Sequence, residues 1–430
     1  MFKIATKRQS ILALTVAFAL CLAASLRPLR HVRNGYLETA KQSDFGVYYV
    51  ASSLVRHHLS SHLYDDAGTG TDPQQRFASD DSVFAGMARS EGIARTKLYV
   101  YPPFLADAML PFTWLSFRAG AWAWRFLNLF AVVLSAGLVS RLLGFPTLSR
   151  PALLVLAGLF CFSPLWQGLH YGQITIVLLA LWSAGILFYA QGWTRASALV
   201  ISVAALIKIT PLLVAVPILI WRDWRWTRWF AGGLALGCGV MCVLNSPATL
   251  MFYGQHVIPP MSAGIIHRQN LSVLSVVGLL WSHGRDYADF VVPHRVVLLG
   301  KLISAGLMAT AALLTIRRGS GVQPPERTLV LAAFALLSLC VSPVSWLDAL
   351  VLGYILLALL WERMLRGGRT LAELLLLVTT TIALGTTLAL EDRTSPWFQL
   401  VPLLFTVVLV LYVLAGRWHA EESKPQPVNS

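Results

Sequence analysis

Apolar runs separated by short polar breaks recur along almost the whole chain. They fall at residues 10–27, 120–143, 151–167, 174–190, 197–208 with 210–220, 229–246, 295–316, 327–345, 347–361, 370–389 and 397–416. About 20 apolar residues cross a bilayer as a helix, whereas a membrane β-barrel would alternate residue by residue. The pattern therefore predicts an all-α polytopic membrane protein with about 12 transmembrane helices. Residues 1–420 read as a single integral membrane domain and 421–430 as a disordered cytoplasmic tail. The pair 197–208 and 210–220 is too short for two ordinary crossings and carries Pro211 and Pro217. It predicts a bent hairpin of two short helices with Lys208 near its tip; one long kinked crossing is the alternative.

Charge decides between those two topologies. Short loops after the apolar runs hold Arg141 and Arg150; Arg195; Arg222, Arg225 and Arg228; Arg317, Arg318 and Arg327; Arg363, Arg366 and Arg369; and Arg417. With Lys3, Lys7 and Arg8 inside, the hairpin places every one of these clusters on the cytoplasmic side, as basic short loops require. The kinked crossing would put every cluster from Arg222 onward outside. Two long segments then lie outside: 28–120, a first external loop with interfacial helices, and 247–294, a second external loop. The first run follows basic residues but is long and lacks a small-x-small cleavage pattern, so it is expected to remain as a span.

Hydrophobic residues make up 56% of the chain and charged residues only 13%, too few to cover a water-facing surface. The net charge of +14 is spread over loops between spans, which indicates orientation and contact with membrane lipids and argues against nucleic acid. Cys21, Cys161, Cys238, Cys242 and Cys340 all lie in apolar runs. Cys238 and Cys242 are one helical turn apart, but no His or further Cys flanks them, so packing is the expected role.

In this orientation the unusual polar motifs collect at the external face. Asp44 opens Asp44-Phe45-Gly46-Val47-Tyr48-Tyr49 near the membrane interface. A partly desolvated carboxylate there suits a general base; an Asp ahead of an apolar run is also a standard helix cap. Tyr101-Pro102-Pro103 predicts a rigid turn into an interfacial helix. His170 and Gln173 lie at a loop apex where they can bond sugar hydroxyls. Lys208 sits in an apolar stretch, where an ammonium is expensive without a partner; a phosphate would supply one, and snorkelling is the alternative. His267-Arg268-Gln269-Asn270 could hold an anionic headgroup. Ser345 and Trp346 open a span that carries Asp348 just inside it. Asp65-Asp66 and Asp80-Asp81 are expected to be solvated.

In order along the chain these segments resemble glycosyltransferase family 87, the bacterial polyprenyl-phosphate-mannose-dependent mannosyltransferases of the membrane-embedded GT-C class. The resemblance runs from about Asp44 to about Asp348. It rests on the Asp44-x-x-x-Tyr48-Tyr49 segment with His62-Leu63-Tyr64-Asp65, then Tyr101-Pro102-Pro103, Gly172-Gln173 and Lys208-x-x-Pro211. Asn270-x-Ser272 and Ser342-Pro343-x-Ser345-Trp346 complete it. The family pattern tends to run Gly-Gln-x-Asn, Asn-Gln-Ser and Ser-Trp followed by histidines. This chain has Thr175, Leu271, and Asp348 with Ala349 at those places.

The resemblance implies an inverting hexosyltransferase at the outer face of the bacterial inner membrane, with Asp44 as catalytic base. It implies a polyprenyl-phosphate sugar as donor, mannose foremost, and a lipid or glycan as acceptor. Tyr48, Tyr101, His170, Gln173, His267, Asn270, Ser345, Trp346 and Asp348 are the expected substrate contacts, with Lys208, Arg268 and Arg125 facing the leaving phosphate. This chemistry calls for no cofactor, and fixed cations can do the work of a metal. The competing reading is a transporter or flippase of lipid-linked saccharides, which would use the same groups for binding only; the chain shows no internal repeat of the kind transporters often carry.

Overall fold

The computed structural model describes residues 4–32, 40–41, 43–65, 78–146, 148–284, 293–319, 321–367, 369–387 and 396–418. The expected tail at 421–430 and residues 66–77 of the first external segment, Asp66 among them, lie outside them. Among the described residues there is no strand, and the chain is a succession of helices. From the N-terminus come α1 (Lys7–Val32), α2 (Asp44–Arg56), α3 (Val83–Ser90), α4 (Pro103–Thr113) and α5 (Phe117–Leu142). The middle of the chain forms α6 (Arg150–Cys161), α7 (Ser163–Tyr171), α8 (Thr175–Ala190), α9 (Thr194–Ile207), α10 (Ala215–Ile220) and α11 (Trp224–Leu244). The short α12 (Pro247–Phe252), α13 (Ile258–Ala263) and α14 (Val273–Trp281) follow. The chain then runs through α15 (His294–Arg318), α16 (Pro324–Val341), α17 (Tyr354–Arg366), α18 (Leu371–Gly385) and α19 (Trp397–Leu414).

Six of these helices, α1, α5, α11, α15, α16 and α19, are long and apolar enough to cross a bilayer. The pair α6 and α7 makes a seventh if taken as one span bent by 67°. The bend follows from Pro164, which lacks the N–H that would continue α6, and from the extended backbone at Phe162. The all-α polytopic expectation holds. Several predicted spans form helices shorter than a bilayer crossing, α8, α9 and α18 among them, and the apolar run at 347–361 divides into a 3-10 turn (Leu347–Gly353) and α17.

The segment around Lys208 forms a hairpin. Trp226 at the start of α11 donates its indole N–H to Ser197 at the start of α9, at 3.0 Å. Further along, Gly233 lies against Ser202 and Gly237 against Leu206, so tightly that an added Cβ would collide. Helices α9 and α11 therefore run parallel, and the 3-10 turn Thr210–Val214 with α10 must carry the chain back between them. Lys208, with extended backbone, sits at the turning point.

Basic and acidic side chains knit the opposite end of the molecule. Arg318 pairs with Glu326 at 2.6 Å, and Arg363 donates to the carbonyls of Trp418 and Pro325 at 2.9 and 3.1 Å. The Ala5 N–H reaches the Arg369 carbonyl at 2.7 Å, which brings the start of the chain to the same place. Helix α16, 18 residues or about 27 Å long, separates this knot from Ser342–Trp346. The arginine clusters and the polar motifs thus occupy opposite ends of the same helices.

Candidate active site

Helix α2 is largely apolar, and every residue from Phe45 to Val55 is buried, Ser52 and Ser53 included. Such a helix needs surrounding walls, and aromatic rings supply them: Phe45 packs on Trp124 (6.2 Å), Phe117 (5.6 Å) and Phe112 (6.5 Å). The N-cap is Ser43, and Asp44 is the first helical residue. Its carboxylate is therefore spared from the capping position that sequence alone allowed.

One oxygen of that carboxylate, Oδ2, accepts a hydrogen bond from the Gln173 side-chain amide. The amide is oriented in turn by Tyr48, whose hydroxyl donates to Gln173 Oε1 at 3.3 Å. Tyr48 is completely buried, with its ring edge against Tyr101 at 5.1 Å. The turn that aims Gln173 depends on Gly172. Helix α7 ends there in the left-handed region (φ +61°), and the Gln173 N–H closes back on the Gly168 carbonyl at 2.8 Å. A side chain at Gly172 would press on Phe45 and Trp124, whose indole N–H donates to the Gly172 carbonyl at 2.7 Å.

The other oxygen, Oδ1, faces Lys97 at 3.8 Å. Lys97 is 39% exposed, and its ammonium also lies 5.6 Å from the centre of the Tyr171 ring. Burial pushes the Asp44 carboxyl above the ordinary carboxylate range; the ammonium groups of Lys97 and then Lys208 pull it back, as does the Gln173 hydrogen bond. The α2 N-terminus favours the ionised form in the same sense. Lys208 is acted on by two carboxylates, those of Asp348 and Asp44. Asp348 is buried and accepts a hydrogen bond from Thr175 Oγ1 at 2.8 Å. Five chain segments remote in sequence thus meet around Asp44, Lys97, Gln173, Lys208 and Asp348.

A second group adjoins Asp348 in the chain. Asn270 is wholly buried: its side-chain oxygen accepts from the N–H groups of Ser345 (2.8 Å) and Ser272 (3.2 Å), and its amide donates to the carbonyls of Ile265 (2.6 Å) and Pro343 (3.2 Å). Backbone bonds Leu271 N–H to Ser345 and Leu347 N–H to Gln269, both 2.9 Å, complete a short bridge between the two loops. His267 packs edge-on against Trp346 at 5.4 Å, and its Nδ1 accepts from the Gln269 N–H at 3.1 Å. The Arg268 carbonyl accepts from Gln399 at 3.2 Å. Asn270 and the Ser345 backbone thus tie together the loop that carries His267, Arg268 and Trp346.

Of the residues expected at the site, the structure gathers Asp44, Tyr48, Tyr101, Gln173, Lys208 and Asp348. Half-buried His170 packs against Tyr171, at 4.8 Å, on the rim that Lys97 covers. Arg125 is half-buried on α5 next to Trp124. Lys97 was not anticipated: it reads as an ordinary loop lysine, and its only signal is its place just before Tyr99-Val100-Tyr101. Thr175 stood out in sequence only as a departure from a pattern. Asp65 pairs locally with His62 at 3.0 Å, and Asp80 and Asp81 are solvent-exposed as expected.

A polyprenol-phosphate-mannose-dependent alpha-(1-2)-phosphatidylinositol pentamannoside mannosyltransferase from Mycolicibacterium smegmatis is 27% identical over 252 residues. That alignment takes in 58% of this chain and 57% of the relative, so the chain spans less than three fifths of the relative's length. The solved structure of ArnT from Cupriavidus metallidurans in the apo state aligns over 95% of this chain and 77% of its own. Its identity is 15% and its TM-score 0.33, a superposition too loose to bear on mechanism. The family model for glycosyltransferase family 87 matches residues 99–343, more than half of the chain and including Tyr101, Gln173, Lys208 and Asn270. The chain belongs to glycosyltransferase family 87.

Proposed function

We propose that this protein is a multi-pass inner-membrane hexosyltransferase that moves a sugar, mannose foremost, from a polyprenyl-phosphate donor to a lipid or glycan acceptor, with inversion. The reaction takes place at the periplasmic or outer face. The observation that carries this reading is the Asp44 carboxylate, clamped through Oδ2 by Gln173 and left with Oδ1 facing Lys97. The activity for which the mycobacterial relative is named, with its polyprenol-phosphate-mannose donor, supports the choice of donor. Membership of a glycosyltransferase family favours an enzyme over a transporter of lipid-linked saccharides.

In this mechanism the acceptor hydroxyl gives its proton to Asp44 Oδ1. Its oxygen attacks the anomeric carbon from the side opposite the phosphate, and the bond from that carbon to the phosphate oxygen breaks. The electron pair leaves with the polyprenyl phosphate. Fixed ammonium groups stabilise the developing charge better than water, because they need no reorganisation. Lys97 and Lys208 are the cations nearest the base, and Arg268 lies on the loop framed by Asn270. Tyr48 and Gln173 hold the base in place, and Asp348 with Thr175 forms a polar wall for sugar hydroxyls.

The direct test incubates purified protein in liposomes with radiolabelled polyprenyl-phosphate mannose and a membrane lipid extract. Label should pass to a lipid or glycan product, with stoichiometric release of polyprenyl phosphate. Movement of intact donor across the bilayer without any transfer product would replace this reading with the transporter.

A further inference from the structure

Another buried carboxylate lies outside the site. Asp107, in the middle of α4, is 8% exposed. Its Oδ1 accepts from the Asn245 side-chain amide at 2.6 Å, and its Oδ2 is buried without a hydrogen-bond partner. Its charge is felt by Tyr64 and Tyr99, and the Tyr64 ring lies 5.7 Å from that of Tyr99 and 5.5 Å from that of Tyr253. A carboxyl buried with one oxygen unpaired is costly to keep, and calls for a function.

The bonds around it form a joint between two parts of the molecule. On one side, α4 holds α2. Ser52 donates to the carbonyl of Ala106, the residue before Asp107, at 2.6 Å, and Arg56 donates to the Thr113 carbonyl. On the other side, Asn245 closes the end of α11, and its carbonyl accepts from Ser60, just beyond α2, at 2.8 Å. The next residue, Ser246, has φ +108° and ψ +151°, a region that only glycine occupies freely. The corner is thus held in a strained conformation by the contacts at its base. Helix α11 runs in parallel register with α9, whose end carries Lys208.

We propose that Asp107 is a positioning residue. Through Asn245 it fixes the end of the α9 and α11 pair against α2, and so sets Lys208 in place relative to Asp44. The inference rests on the reading of Asp44 as general base. Because the Lys208 charge favours ionised Asp44, loosening the joint leaves a signature beyond lost stability. The acid limb of the pH profile of kcat/KM moves to higher pH.

The test compares Asp107→Ala, Asn245→Ala and the exchange of Asp107→Asn with Asn245→Asp, all in the full-length protein and normalised to folded material. Asp44→Asn runs alongside. Each alanine variant should lose at least tenfold in turnover and show the displaced acid limb. The exchanged pair, which rebuilds the amide-to-carboxylate bond in reverse, should recover turnover to within about threefold and restore the limb. Alanine variants with normal turnover and an unmoved limb, while Asp44→Asn is inactive, would overturn the inference and leave the base reading intact. If the alanine variants fail to fold, a folded exchange variant with the limb still displaced overturns it equally. An active Asp44→Asn protein would remove both, since no base would remain to be positioned.

Discussion

Asp44 is held by groups with opposite effects. Burial favours its neutral form, while Lys97, Lys208 and Gln173 favour the ionised form that a base requires. Lys97→Met removes the largest of the stabilising charges, so the Asp44 carboxyl must rise further. The acid limb of kcat/KM should then move to higher pH, with turnover falling more at acid than at alkaline pH. A limb unchanged in Lys97→Met would show that this lysine does not act on the base. Sequence alone could single out Asp44, Lys208 and Asp348, because each is an ionisable group set against apolar surroundings. It could not single out Lys97, since a lysine in a polar loop costs nothing, and only the folding of that loop over Tyr171 brings it to Asp44.

Helices were legible where an apolar run matched a helical length, as for α5, α15, α16 and α19. Local backbone chemistry set what the runs could not. Pro164 breaks the 151–167 run into α6 and α7. Between α12 and α13 the helix widens into a π turn at Tyr253–Val257, just before Pro259 and Pro260, which cannot donate back. That Asn270 ties two loops together was not legible, because its bonds to Ser345 and Pro343 reach 75 and 73 positions along the chain. Asn270→Ala should destabilise the protein by roughly 2–4 kcal/mol, since the buried Ser345 and Ser272 N–H groups lose their acceptor. A lowered melting temperature in detergent checks this. An unchanged melting temperature would show that the loops are held together by other contacts.

The arginine clusters and the polar motifs stand at opposite ends of the molecule, about one membrane thickness apart along α16. The parallel course of α9 and α11 supports the hairpin on which this separation depends. In a background with all five cysteines replaced, single cysteines at Arg225 and Arg366 should react with a membrane-impermeant reagent only from the cytoplasmic side. One at Ser79 should react only from outside. Reaction of the Arg366 cysteine from outside would invert the C-terminal half and divide the motifs between two faces.

The central claim is that Asp44 is the base of a glycosyl transfer, and Asp44→Asn isolates it. Asparagine preserves the shape and can remain at the start of α2, but it cannot take a proton. The measurement is single-turnover transfer from radiolabelled polyprenyl-phosphate mannose by folded Asp44→Asn protein, with donor binding measured in parallel. The account predicts retained donor binding and a loss of roughly 100-fold or more in the rate of transfer. Transfer at a near-normal rate by the well-folded variant would contradict it.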